Sequence, residues 1–156
     1  EPETASRSVA VLYQDFLVRC RRQRVAGDQI DLAAFRRRLA MARAGVDRAG
    51  PAGPAWDTAT ALSAEVPEEM QGVFLLLARA AIENAPCPSD AAVARACGSH
   101  SPKRARRMLD YMEARGFIAT RVDGQGRRVI ALPGLGAETA PGDPAAAESD
   151  LLDAAE

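Results

Sequence analysis

Two helix starts and two helix stops, set close together in the second half of the chain, constrain its fold more than any other feature. Ser89 can cap a helix that Gly98 ends. Ser101 and Pro102 form a cap and a first-turn proline for a second helix, which Gly116 ends. This pattern predicts a short helix, a tight turn and a longer helix.

Apolar spacing predicts a further helix before this pair. From Pro67 onward, apolar residues recur at three- and four-residue steps, after two glutamates that suit the positive end of a helix dipole. The residues predicted to face inward on the three helices are Met70, Val73, Phe74, Leu77 and Ala81, then Ala92, Val93, Ala96 and Cys97, then Ala105, Met108, Leu109 and Met112.

Two β-like runs, "FIATRV" and "RRVIAL", follow the last helix and flank the sequence "DGQG". The Asp-Gly pair and the second glycine can supply the positive φ angles that a short hairpin needs. Three helices and a two-stranded hairpin in this order form a winged helix-turn-helix. We therefore expect a mainly α fold with a small β-hairpin, and place this domain at residues 67–132.

The first 48 residues predict an N-terminal helical hairpin. Apolar residues at helical spacing indicate one helix over roughly Ser8 to Val25, which Gly27 ends. Asp31 can cap a second helix, with Gly45 in the usual stop position. A core this small does not stand alone, so residues 1–48 are a possible homodimerisation element.

Two further segments flank the predicted domain, and the stretch from Arg48 to Trp56 is expected to hold no regular element. Residues 49–66 are expected to be a connector, because "RAGPAGPAW" is rich in proline, glycine and alanine. Residues 133–156 are expected to be an acidic disordered tail, with a transient helix near Leu151.

Charge is distributed unevenly, although the net charge is only -1. Residues 86–132 hold nine basic and four acidic residues, whereas residues 133–156 hold six acidic and no basic residues. A run of 18 apolar residues is missing, the first residues lack signal-peptide character, and the three cysteines are a poor disulfide framework. These features predict a cytoplasmic protein with no membrane contact.

The basic residues cluster at the start of the third helix, where its apolar stripe leaves Lys103, Arg104, Arg106 and Arg107 on the surface. A recognition helix enters the DNA major groove by that end, and a hairpin tip reaches the neighbouring minor groove. The sequence therefore predicts double-stranded DNA as the partner. We expect the acidic tail to compete with DNA for Lys103, Arg121 and Arg127.

A family resemblance supports this interpretation over roughly Pro67 to Leu132. "SDAAVARACGSHSPKRARRMLDYMEARGFI" is similar to the helix-turn-helix of winged-helix bacterial regulators, and "RVDGQGRRVIAL" resembles the wing of MarR-type repressors. The turn "GSHSP" is one residue longer than the commonest pattern. The resemblance implies a bacterial transcriptional regulator. The DNA contacts that it implies are Ser99, His100, Ser101, Lys103, Arg104 and Arg107, with wing contacts from Arg121, Arg127 and Arg128.

The sequence also bears on three other functions. Cys87, Cys97 and His100 could supply metal ligands with Cys20, but Cys97 occupies a core position, so we expect neither metal nor cofactor. Nucleophile, phosphate-loop and H-E-x-x-H motifs are missing, so we do not expect an enzyme, although the chain could be an enzyme's accessory domain. The main alternative is a winged-helix protein-interaction module of a replication or chromosome-organising complex.

Overall fold

Helices form most of the described part of the chain, and a small antiparallel sheet follows them. The structure is a computed structural model that describes residues 8–22, 30–43 and 53–147. The helices are α1 (Val9–Arg22), α2 (Leu32–Arg43), α3 (Pro54–Ser63), α4 (Gln71–Ile82), α5 (Asp90–Ala96) and α6 (Pro102–Ala114), with a 3₁₀ turn at Glu68–Met70. The strands are β1 (Ala119–Val122), β2 (Arg128–Leu132) and β3 (Ala137–Glu138), in the spatial order β1-β2-β3.

The caps predicted for α5 and α6 are confirmed. The Ser89 hydroxyl accepts a hydrogen bond from the Ala92 N–H at 3.2 Å. The Ser101 hydroxyl accepts one from the Arg104 N–H at 3.3 Å. Gly98 ends α5 with φ 73° and thus adopts the left-handed conformation that glycine tolerates best.

The core lies between α4, α5, α6 and the sheet. α4 begins at Gln71 and not at Pro67, because Pro67 has an extended backbone and a 3₁₀ turn comes first. The largest fully buried side chains are Phe74, Leu75, Leu77, Met112, Ile118, Ile130 and Leu132, with Val73 and Val93. Burial of each large aliphatic or aromatic side chain stabilises the fold by roughly 1.5–3 kcal/mol.

The N-terminal hairpin packs on this core. The Tyr13, Phe16 and Phe35 rings join α1 to α2, with the Phe35 centroid 5.3 Å from Tyr13 and 5.2 Å from Phe16. Asp31 caps α2 by accepting the Ala34 N–H at 2.7 Å, as predicted. α2 also contacts α4, the 3₁₀ turn and α5. The predicted stops at Gly27 and Gly45 lie outside the described residues.

The expectation that Arg48 to Trp56 holds no regular element is wrong at its end, because α3 begins at Pro54 and lies within the predicted connector 49–66. Pro54 occupies the first turn of α3, where a proline costs no hydrogen bond, so it begins the helix and does not break it. Ala59 and Ser63 are buried where α3 packs on α4. Trp56 also packs against the core cluster.

The prediction of a disordered tail is wrong for residues 133–147. β3 extends the sheet beyond β2 and pairs Ala137 with Leu132. The chain then continues alongside the segment before α5, where the Cys87 N–H donates to the Ala140 carbonyl at 2.9 Å. Hydrogen bonds between backbone groups order this segment. Its low content of apolar side chains therefore did not indicate disorder. Residues 148–156 lie outside the described part of the chain.

The β1–β2 hairpin turns through Asp123–Arg127 and departs from the prediction at one glycine. Gly126 has φ 75°, whereas Gly124 is not among the glycines with positive φ. The Asp123 carboxylate accepts hydrogen bonds from the N–H groups of Gln125 and Arg127, each at 2.9 Å. These bonds stabilise the turn, although Gly124 does not adopt the left-handed conformation that was predicted for it. A one-residue left-handed position is enough for this turn.

Candidate nucleic-acid interface

The amino-terminal half of α6 presents four exposed cations on the side opposite the core. Ala105, Met108, Leu109 and Met112 are buried. Since successive helical residues are roughly 100° apart, Lys103 and Arg107 lie at the centre of the outward face, and Arg104 and Arg106 lie on its two flanks. The predicted surface position of all four cations is confirmed.

The turn before α6 uses two of its predicted contact residues to build the helix start. The Ser99 hydroxyl accepts the Ser101 N–H at 3.1 Å, and Ser101 caps the helix. Each hydroxyl still has its own proton to donate, because both act here as acceptors. His100 is exposed between them. The turn therefore combines a structural role with two O–H donors and an imidazole.

Lys103, Arg106 and Arg107 line one shallow surface depression. Arg106 forms an ion pair with Asp90, with 3.3 Å between Nε and Oδ2. For Lys103 and Arg107, the structure shows no ion pair within residues 8–22, 30–43 and 53–147. Two charges of the three are thus without a protein counterion in the described chain, and an anion such as a phosphate could take that place.

Arg104 faces a different environment on the flank of α6. It lines a cavity of about 540 Å³ with Arg36 of α2 and with Glu68. One Glu68 carboxylate oxygen is buried without a hydrogen-bond partner. Arg104 is exposed and can reach solvent, but it does not share the depression that the other three cations form.

Arg128 corrects the prediction of a wing contact, because it is only 6% exposed. Its guanidinium donates to the Asp90 carboxylate at 2.6 Å and to the Pro88 carbonyl at 2.6 Å. Burial lowers the pKa of Arg128, but hydrogen bonds with Cys87 and Asp90 raise it further, so the net pKa is above its ordinary value. Arg128 is a charged internal tie between β2 and the start of α5.

The other two hairpin arginines are exposed, and each is paired with a carboxylate. Arg121 of β1 reaches across β2 to Glu138 of β3 in a two-pronged contact at 2.5 and 3.0 Å. This hydrogen bond lowers the pKa of Glu138 and raises that of Arg121. Arg127 pairs with Asp123 at 3.0 Å. A phosphate must displace Glu138 to use the terminal nitrogens of Arg121, whereas Arg127 holds Asp123 through Nε.

Asp90 and Glu138 belong to this surface, and the sequence analysis missed both. Asp90 pairs with Arg106 and Arg128, and Glu138 pairs with Arg121. In the sequence, Asp90 is recognisable only as an acidic residue in the first turn of a helix. Its partner Arg128 lies 38 residues away. Such a contact has no local sequence signature.

The candidate metal ligands do not come together in the described chain. Among residues 8–22, 30–43 and 53–147, no group of three His, Cys, Asp or Glu side chains could hold a metal ion. The Cys97 thiol donates to the Ala94 carbonyl at 3.1 Å, within its own helix end. Cys87 is buried beside Arg128. In the same described ranges, no helix has the length and apolar content needed to cross a membrane.

Comparison of the chain with protein-family models, curated proteins and solved structures finds no match. The fold and the candidate interface therefore rest on the chain's own residues. The features that any function must explain are the exposed cations at the start of α6 and the paired arginines of the hairpin.

Proposed function

We propose that this chain is a double-stranded DNA-binding protein and a cytoplasmic bacterial transcriptional regulator of the winged helix-turn-helix type. One observation carries the proposal: Lys103, Arg106 and Arg107 surround one exposed depression at the amino-terminal end of α6. An α-helix fits the major groove of B-DNA, and recognition helices enter it by their first turns. The order α4, α5, α6 and hairpin supports the same proposal.

Affinity would come mainly from phosphate contacts. Each cation that neutralises a phosphate releases condensed counterions, and this makes binding strongly dependent on salt. Lys103 and Arg107 suit this role because neither makes an ion pair within the described ranges. The O–H donors of Ser99 and Ser101 and the His100 imidazole lie beside them in the turn.

The hairpin would contribute less than the sequence suggested. Arg121 and Arg127 are exposed but already hold carboxylates, and Arg128 is buried. For Arg121, exchange of the Glu138 carboxylate for a phosphate gains less than pairing a free cation, since one ion pair is lost for each that forms. The charge of Arg127 is already balanced in part by Asp123. We therefore assign the hairpin tip an accessory contact at the minor groove or backbone.

A homodimer through α1 would complete the regulator. Val11 and Val18 are 49% and 45% exposed and lie seven residues apart, so they occupy one face of α1. The same patch on a second copy would bury both valines in a two-fold interface. Two copies of α6 would then read two half-sites of one operator.

A salt-titrated binding assay tests the proposal. We expect binding to random-sequence and genomic duplexes, with log K falling against log salt by a slope of about -3 to -4 if four cations contact phosphates. Lys103→Ala and Arg107→Ala should each reduce the slope by about one. Arg115→Ala is the matched control, because Arg115 is exposed at the opposite end of α6, where it stacks over Tyr111.

Two outcomes would contradict the proposal. If the protein does not bind duplex DNA at low salt, or if the α6 variants bind like the parent, the cations serve another partner. The winged-helix module that binds an acidic protein surface would then be the better interpretation.

A further inference from the structure

We infer that Arg106 reads a guanine and that Asp90 is the positioning residue that aims it. This inference rests on the proposed function, since it assigns a role within the same DNA-binding surface. Arg106 is the one cation of the depression that has a carboxylate partner in the described ranges. Its pairing distinguishes it from Lys103 and Arg107, although all three are exposed.

The position of Asp90 is itself fixed by the buried Arg128. Its Oδ1 accepts a 2.6 Å hydrogen bond from Arg128, and its Oδ2 lies 3.3 Å from Arg106 Nε. The Asp90 side chain is only 14% exposed and that of Arg128 only 7%. A carboxylate at the first residue of a helix is also stabilised by the helix dipole. Asp90 is therefore a fixed anchor, and it restrains the more exposed Arg106 side chain.

Arg128 is fixed through both its backbone and its side chain. Its N–H donates to the Gly142 carbonyl at 2.7 Å, and its carbonyl accepts the Gly142 N–H at 3.0 Å. Its guanidinium also donates to the Pro88 carbonyl. A chain of contacts thus runs from the sheet through Arg128 and Asp90 to Arg106 on α6.

The geometry of the pair leaves the reading end of Arg106 available. The nitrogen nearest Asp90 is Nε, so the two terminal nitrogens remain as a parallel pair of donors. Guanine presents O6 and N7 as two acceptors in the major groove, and an arginine fork matches them. The side chain is 61% exposed, so its terminus can reach a base.

Restraint by Asp90 favours base reading over phosphate contact. An arginine loses rotamer entropy when it is held in one geometry, and Asp90 restricts Arg106 before DNA arrives. The exposed ion pair itself adds little stability, in line with other surface pairs. Lys103 and Arg107 have no such restraint in the described chain, and a mobile cation suits a phosphate better than a base edge.

The test is selection of duplexes from a random library by the full chain and by two variants that keep the charge. We expect the parent to enrich a motif with a G·C pair preferred by roughly 5- to 100-fold at one position. Arg106→Lys should abolish that preference and retain most of the nonspecific affinity, because lysine lacks the fork. Arg115→Lys, at the opposite end of α6, is the matched control and should leave the motif unchanged.

Asp90→Asn tests the positioning role in two backgrounds. In the parent it should lower the G·C preference several-fold, and in Arg106→Lys it should lower that preference no further. Loss of a purely structural contact would instead weaken affinity equally in both backgrounds. Circular dichroism of each variant establishes that the fold is retained, and Arg106→Lys alone decides the reading role if Asp90→Asn unfolds.

The outcomes separate this inference from the proposed function. Duplex binding with no enriched motif, or with a motif that Arg106→Lys leaves intact, overturns the inference and leaves DNA binding standing. A chain that binds no duplex DNA overturns both.

Discussion

At the residue scale, Arg128 and its neighbour Arg127 show how alike sequence signals can have opposite roles. Both follow the hairpin glycine, and both were expected to contact DNA. Arg127 is exposed, whereas Arg128 lies inside with the Asp90 carboxylate and the Pro88 carbonyl. Their places in the fold separate them, because Arg127 ends the turn and pairs with Asp123, whereas Arg128 begins β2 and packs beside Cys87.

Arg128→Ala should therefore lower the free energy of unfolding by about 3 kcal/mol, because it leaves the largely buried Asp90 carboxylate without its main partner. Arg127→Ala should cost less than about 1 kcal/mol, as expected for an exposed pair. Urea unfolding of both variants measures the difference. Equal losses would show that the buried tie does not stabilise the fold.

At the element scale, the local signals predicted α5 and α6 well, missed α3 and predicted the long-range pairings poorly. Ser89, Ser101, Gly98 and Gly116 act within a few residues of themselves, so the bounds of α5 and α6 could be read from the sequence. β3 depends on partners in other segments, which no local pattern encodes. The four α6 cations were predicted to be exposed, but their different pairings could not be predicted.

The turn of the β1–β2 hairpin should be sensitive to acid. Backbone N–H donation from Arg127 is the main cause that lowers the pKa of Asp123 below its ordinary value. The charged carboxylate therefore stabilises the hairpin above the unfolded pKa of about 3.9, and this stability is lost as pH falls through the lower folded pKa. Amide exchange at Gly126 and Arg127 should accelerate over that range.

Asp123→Asn is the control for this titration, because the amide oxygen can still accept the same N–H groups but does not titrate. Exchange at Gly126 should then lose the pH dependence that comes from the carboxylate. An unchanged acid response in Asp123→Asn would assign the effect to another group, and Glu138, whose pKa is also lowered, is the first candidate.

Gly142→Ala tests the strand-like segment after β3. A Cβ at this position would lie 2.2 Å from the Cys87 carbonyl oxygen, so the two backbones must move apart. We expect a loss of about 1–3 kcal/mol in thermal or urea unfolding. Gly124→Ala is the matched control, since a Cβ there meets nothing within 4 Å and its φ is not positive. A Gly142→Ala chain as stable as Gly124→Ala would contradict the described pairing.

At the scale of the whole molecule, the N-terminal hairpin and the cation-bearing half are in contact. α2 packs against α4 and α5, and the cavity beside Arg104 lies between α2, the 3₁₀ turn and the end of α5. The short aromatic cluster of Tyr13, Phe16 and Phe35 gains support from this contact. The outward face of α1, where Val11 and Val18 are exposed, is the surface that we propose for a second copy.

Val18→Glu should accordingly shift a homodimer towards monomer. A charge at an apolar two-fold contact is brought close to its own copy, so repulsion and desolvation both oppose association. Sedimentation across a concentration series measures the shift, which we expect to be tenfold or more in the dissociation constant. Ala61→Glu is the control, since Ala61 is exposed on α3. Equal dissociation constants for both variants would exclude α1 as the interface.

The pairing of Ala140 with Pro86 also has a consequence for how the chain is made. Contacts between residues this far apart close late in folding, because the entropy of a long loop opposes them. During synthesis from the amino terminus, α4 to α6 are complete before this segment has been added. Until it arrives, one side of β2 carries unpaired N–H and C=O groups, which are a template for aggregation. A chain that ends just after Leu132 would have its helices in place, but this edge of β2 would have no partner strand.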